Sequence, residues 1–134
     1  MKTYHGSCHC GAVKFEADMD PGAGTRKCNC SYCTKARNWF ALIPPDCFRL
    51  SGKPDLTDYQ FGKKTLIHRF CPACGIHPFG SSDPQVVPAE KGWVYVNLTC
   101  LDDVTSAELS NAPVKAVDGR HNNYELELAD DSTL

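Results

Sequence analysis

The sequence has no long apolar run, no excess of charge of either sign, no internal repeat and no low-complexity tract. Each absence closes a class of function. No stretch approaches the ~20 apolar residues that a membrane-spanning helix needs, and mean hydropathy is −0.36. Lys plus Arg number 14 against 16 for Asp plus Glu, a net charge of −2. That balance supplies no general attraction to nucleic acid or to an anionic membrane, and no basic run is interleaved with aromatics. Neither partner is expected. Met1 to Cys8 contains no apolar segment of the kind that marks a secretory signal, so the expected location is the cytoplasm.

What the chain does have is cysteine, nine in 134 residues. Such usage points either to a disulfide framework in a secreted domain or to metal binding in a reducing compartment. Metal is favoured by the missing export signal and by the odd count. It is favoured most by the tight clusters, Cys-x-Cys and Cys-x-x-Cys. Their members are poor disulfide partners for one another but good neighbours around one ion.

Nine prolines and ten glycines cut the chain into short pieces, and the pieces read mostly as strands. Ala12 to Ala17 alternates apolar and polar. Phe40 to Ile43 is stopped by Pro44-Pro45. Cys47 to Leu50 ends in the turn signal Ser51-Gly52-Lys53-Pro54. Leu66 to Phe70 runs into Cys71, and Trp93 to Leu101 is rich in β-branched and aromatic residues. Helical signals are few: Ser31 to Arg37, opened by Asn29 or Ser31 as cap, and Thr105 to Leu109. The pattern predicts a mainly β protein with one zinc-binding domain over residues 1–128 and a polar tail over 129–134.

The clusters are Cys8-His9-Cys10-Gly11, Cys28-Asn29-Cys30-Ser31-Tyr32-Cys33 and Cys71-Pro72-Ala73-Cys74-Gly75. Structural zinc takes four ligands in a tetrahedron, usually two pairs from two tight turns. A residue just after such a turn often needs φ > 0, which glycine adopts freely. Gly11 and Gly75 follow the first and third clusters, whereas Thr34 follows the second. Cys8, Cys10, Cys71 and Cys74 are therefore expected to close one four-thiolate site. Cys28, Cys30 and Cys33 remain as a trio, either an open zinc site or a second structural site completed by Cys47, Cys100 or a histidine. Two zinc ions per chain are expected, the second site losing its ion more readily. Zinc with three thiolates carries −1, a weak centre for making hydroxide but a suitable one for holding an incoming thiol as thiolate.

This ordered set resembles the glutathione-dependent formaldehyde-activating enzyme family, which includes centromere protein V-like members. The resemblance runs from Gly6 to about Tyr124. It is carried by Gly6 to Val13, Cys28 to Cys33, Phe48 to Gly52, Phe70 to Gly75, and Asp118 to Asn122. It implies a β-tent type domain of small antiparallel sheets with zinc knuckles. It assigns Cys8, Cys10, Cys71 and Cys74 to structural zinc, and Cys28, Cys30 and Cys33 to a catalytic zinc. The activity it implies is that of a carbon–sulfur lyase resembling S-(hydroxymethyl)glutathione synthase, joining a small thiol to a small aldehyde. The alternative is a non-catalytic zinc-stabilised interaction module.

Glutathione carries two carboxylates, so a dedicated site should present cations near the trio. Lys35 and Arg37 follow Cys33 closely; Arg69 and Arg120 would serve if the fold brings them near. The plain alternative for each is a solvated surface charge. His77, three residues after Cys74, is a candidate acid–base group or a structural histidine. His9 is expected to be exposed and His68 to be a partly buried neutral histidine, while His5 and His121 carry no assignment. Trp39 and Phe40 could floor a small pocket or simply fill core. Cys47 and Cys100 read as small hydrophobes.

Overall fold

A computed structural model of the chain describes all 134 residues. The strands in chain order are β1 (Lys2–Ser7), β2 (Lys14–Met19), β3 (Thr25–Cys28), β4 (Trp39–Ile43), β5 (Phe48–Leu50) and β6 (Thr57–Tyr59). They continue with β7 (Leu66–Phe70), β8 (Phe79–Ser82), β9 (Val94–Asn97), β10 (Val114–Asp118) and β11 (Asn123–Glu127). Two short helices, α1 (Ser31–Ala36) and α2 (Ser106–Asn111), complete the set. The protein is mainly β, as the sequence predicts.

The chain divides into two compact units, Met1–Met19 with Leu42–Val104, and Asp20–Ala41 with Thr105–Leu134. In the first, β1, β2 and β5 form an antiparallel sheet in that order. Strands β9, β8, β7 and β6 form an antiparallel run in that order. Alternation along β2 buries Phe15, Ala17 and Met19. Phe15 stacks on Phe48 at 5.3 Å between ring centroids, and Phe48 meets Phe79 at 4.5 Å. Fully burying a side chain of this size contributes about 1.5–3 kcal/mol. His68, 2 % exposed, shares a 2.9 Å hydrogen bond between its Nδ1 and the Tyr95 hydroxyl, so it is more deeply buried than its strand parity suggested.

In the second unit β3 pairs antiparallel with β4, through Arg26↔Phe40 and Lys27↔Trp39. Its other edge pairs with β10, from Val114↔Thr25 to Val117↔Cys28, and this pair is parallel. Parallel partners need a long connection, which the chain between β3 and β10 supplies. Strand β11 returns antiparallel on β10, with a register shift between Val117 and Asp118. The Trp39 indole donates to the buried Thr25 hydroxyl at 2.9 Å, and Lys27 lies over the Trp39 ring.

Several boundaries differ from the sequence expectation for local reasons. Strand β2 starts at Lys14 rather than Ala12, because Cys8 N donates to Val13 O and closes a turn there. The expected strand from Trp93 to Leu101 stops at Asn97, whose side chain accepts from the Thr99 amide and hydroxyl and starts a tight turn. The cap of α1 is neither Asn29 nor Ser31. It is Cys30, whose sulfur accepts from Cys33 N at 3.3 Å.

Candidate metal centres

All nine cysteines are free thiols, and seven of them gather in two clusters. In the first unit the sulfurs of Cys8, Cys10, Cys71 and Cys74 all lie within 4.8 Å of one another. Cys8 Sγ is 3.7 Å from Cys10 Sγ, which is 3.7 Å from Cys71 Sγ. A disulfide would bring two sulfurs to about 2.05 Å. A tetrahedron with Zn–S bonds of about 2.3 Å has edges of about 3.8 Å. The spacing fits the ion and not the disulfide.

Two similar turns build this cluster. Cys8 N donates to Val13 O at 3.0 Å and Cys71 N to Ile76 O at 3.0 Å; inside them, Gly11 N donates to Cys8 O and Gly75 N to Cys71 O. Gly11 has φ +82° and Gly75 φ +78°, the left-handed conformation that the sequence predicts at both positions. Backbone amides then point at the sulfurs, as Val13 N does at Cys8 Sγ, 3.3 Å away. Backbone N–H groups of Ile76 and Cys10 pull the Cys74 thiol down to about 6. Such donors favour the thiolate that a metal needs.

In the second unit the sulfurs of Cys28, Cys30 and Cys33 also lie within 4.8 Å of one another. Cys28 ends β3, Cys30 caps α1 and Cys33 faces inward from the helix. Cys28 and Cys33 are buried against Val117, with Cys30, Tyr32 and Phe40 packed around them. The Cys30 thiol is held far below the ordinary thiol range. Its neighbours Cys28 and Cys33 donate to it, and the amides of Cys33 and Tyr32 add to that. Cys33 is pushed up correspondingly, because it shares protons with Cys28 and Cys30 and is buried. The shared protons thus favour the thiolate at Cys30 over its two neighbours. Within this unit no fourth Cys, His, Asp or Glu joins the three.

A polar network that the sequence reading did not identify locks the cysteine loop to the end of β10. Asn29, between two of the cysteines, donates from Nδ2 to Asp118 Oδ1 at 2.9 Å and accepts from Arg120 N at 2.9 Å. Arg120 Nε donates to Asn29 O at 3.1 Å, which also accepts from the Thr34 hydroxyl. Asp118, itself buried, accepts from His121 Nδ1 at 2.8 Å. The chain between them passes so close that a Cβ on Gly119 would stand 2.3 Å from Cys28 Sγ. The sequence signal for this network was the Asp118-Gly119-Arg120-His121 run, legible only as a pattern.

The other candidates fall elsewhere. Arg120 is brought against the cysteine loop. Lys35 is exposed on the last turn of α1. Arg37, left-handed at φ 58°, closes the helix and donates to the Thr133 carbonyl. Arg69 belongs to the first unit, where it donates to the Ser81 hydroxyl and lies 3.5 Å from Asp58. His77 is also in the first unit, and burial lowers its pKa. His9 is exposed, as expected. Cys100 is buried, and burial pushes its thiol up to about 11. Cys47 is half-buried.

Residues 3–116 match the family model described as glutathione-dependent formaldehyde-activating enzyme. The chain belongs to that family. A solved structure agrees: the crystal structure of a Rhodobacter sphaeroides protein, a structural-genomics target, is 32% identical and has a TM-score of 0.66. The alignment covers 82% of this chain and 98% of that one. Membership in the glutathione-dependent formaldehyde-activating family suggests a role related to glutathione and formaldehyde. The two cysteine clusters could each hold a metal ion, and their donor sets fit zinc. No helix is long and apolar enough to cross a membrane.

Proposed function

We propose that this protein is a zinc-dependent enzyme of the carbon–sulfur lyase type, joining a small thiol such as glutathione to a small aldehyde such as formaldehyde. The observation that carries the reading is the unequal pair of clusters: four thiols that complete a tetrahedron and three that leave one corner open. Cys8, Cys10, Cys71 and Cys74 are the ligands of a structural zinc, and the small sheets around it are read as a β-tent. Cys28, Cys30 and Cys33 are the ligands of the second zinc, which would hold an incoming thiol in its deprotonated form. The addition balances without an oxidant: a C–S bond forms, the carbonyl π bond opens, and the proton lost by the thiol ends on the carbonyl oxygen.

The chain's own groups hold and orient the site. Asn29, Asp118 and Arg120 fix the cysteine loop. Lys35 and Arg37 are proposed contacts for the carboxylates of the thiol. His77 is proposed as an acid–base group. A cytoplasmic location suits a site that uses free thiols. The test is exchange NMR of zinc-loaded protein with glutathione and formaldehyde. Adduct formation faster than the spontaneous reaction is expected. No acceleration across several thiols and aldehydes would leave the non-catalytic, zinc-stabilised interaction module as the better reading.

A further inference from the structure

Arg26 and Lys115 lie outside the cysteine clusters and the Asn29 network, and their placement is unusual. They are Cα partners in the parallel pair of β3 and β10. Partners in a ladder send their side chains to the same face of a sheet. Arg26 is also the partner of Phe40 on β4, and Phe40 packs against Cys28, Cys33 and Val117. Cys28 lies two residues after Arg26, and Val117 two after Lys115, so alternation puts all of these on one face. Two cations, an aromatic ring and the first, buried, sulfur of the trio share one face of the sheet.

Adjacent like charges repel, more so when half-buried as these two are. Elsewhere the protein offsets such a cost with carboxylates. Arg49 bridges Glu16 and Asp18, and Arg69 meets Asp58. Arg26 and Lys115 take part in none of the ion pairs or side-chain hydrogen bonds of the molecule. Glu127, opposite Val117 on the outer strand β11, is exposed and pairs with neither. The pair supplies donors and positive charge with no anion to accept from them.

We propose that Arg26 and Lys115 form a carboxylate-binding subsite for the thiol substrate, with Phe40 flooring the space between it and the sulfurs. The inference rests on the reading of the trio as a thiol-binding centre. Arg26 and Cys28 are two strand residues apart, roughly 7 Å. A peptide thiol with a carboxylate one or two residues from its sulfur spans the same gap. The guanidinium grips the carboxylate through two N–H groups and the ammonium adds a point charge. The subsite therefore selects acidic thiols over neutral or cationic ones.

The test measures binding to the zinc-loaded protein by calorimetry, with metal content and an NMR fingerprint confirming each variant's fold. The probes are glutathione, its diethyl ester and cysteamine, a thiol without a carboxylate. Glutathione should bind wild type more tightly than either of the others. Arg26→Gln and Lys115→Gln should each weaken glutathione roughly fivefold to tenfold and should not weaken cysteamine, whose ammonium loses a repulsive neighbour. Equal affinity of wild type for glutathione and its diester overturns the subsite without needing any variant. So does a double variant that still binds glutathione as wild type does; in both cases the thiol reading stands. Failure of wild type to bind any of the three thiols overturns the subsite and the thiol reading together.

Discussion

At the scale of single residues, the second cluster depends on groups that are not ligands. Asn29 uses its amide in both directions, to Asp118 and from Arg120. It stands where rotation of the cysteine loop would move two sulfurs at once. Replacing such a supporting group typically costs 10- to 100-fold in metal affinity or activity. Asn29→Ala should therefore weaken metal binding at the trio by about 10-fold or more, read by chelator competition, while the four-thiolate site keeps its ion. A variant that releases both ions with wild-type kinetics would deny Asn29 this role. A different residue carries the pH dependence. His5 Nδ1 lies 2.8 Å from Asp103, with Glu16 at 3.5 Å from Nε2, and the hydrogen bond to Asp103 raises its pKa. Burial pushes Asp103 up, but the His5 side chain and amide outweigh it and hold the carboxyl low. The folded state thus favours protonated His5. That contribution is fully present below the unfolded value near 6.5 and is lost as pH rises through the higher folded value. The pair is exposed, so the effect is small. The melting temperature of wild type should exceed that of His5→Gln at pH 6, on the order of one degree, and the gap should close by about pH 9. A gap that widens with pH would reverse the assignment.

Elements repeat the lesson with the two kinds of cysteine turn. The knuckles Cys8 to Val13 and Cys71 to Ile76 share the outer hydrogen bond from the first cysteine amide to the carbonyl five residues on, with an inner bond from the glycine amide back to that cysteine, and each feeds a strand, β2 and β8, that lines the Phe15–Phe48–Phe79 core. A zinc ion held between them, as proposed, would join two segments far apart in sequence. Structural zinc contributes on the order of 10 kcal/mol to folding, comparable to the whole stability of a small domain, about 5–15 kcal/mol. Cys8→Ser or Cys71→Ser should therefore unfold the first unit, whereas Cys30→Ser should stay folded with one zinc fewer. Circular dichroism and metal analysis read both, and equal instability of the Cys8 and Cys30 variants would refute the partition. The knuckles were legible in the sequence because Cys-x-Cys, Cys-x-x-Cys and a following glycine report a local conformation. Strand β7 was legible to the residue, since apolar alternation runs straight into Cys71. Strands β1, β3, β6, β8, β10 and β11 were not legible as strands. Thr25–Cys28 is four residues ending in a ligand, and Asn123–Glu127 is exposed throughout, so neither carries a burial period. What holds them is pairing with distant partners, which no local pattern encodes. The Arg26–Lys115 neighbourhood and the Asn29 clamp were invisible for the same reason.

At the scale of the whole molecule, each compact unit contains one complete cysteine cluster. The stability of each unit should then follow its own ion. With zinc bound as proposed, four sulfurs in the first unit would enclose the metal, and a chelator would reach it only by displacing a ligand. In the second, three sulfurs would leave a coordination position through which a chelator enters directly. A zinc-loaded sample treated with excess EDTA should lose one equivalent quickly and the other only as the protein unfolds. Hydrogen exchange on the intermediate, with one zinc left, gives the location. Amides of β3, β10 and α1 should lose protection, because the loop is then held only by the Asn29 network and by backbone amides donating to the sulfurs, without the ion. Amides of β1 and β2 should keep theirs, since Cys8 and Cys71 still close their turns on the remaining ion. Glutathione added before the chelator should slow the fast phase by occupying the open position and should leave the slow phase unchanged. Loss of both ions in a single phase, with exchange rising evenly along the chain, would mean that the trio is closed and that its chemistry is structural.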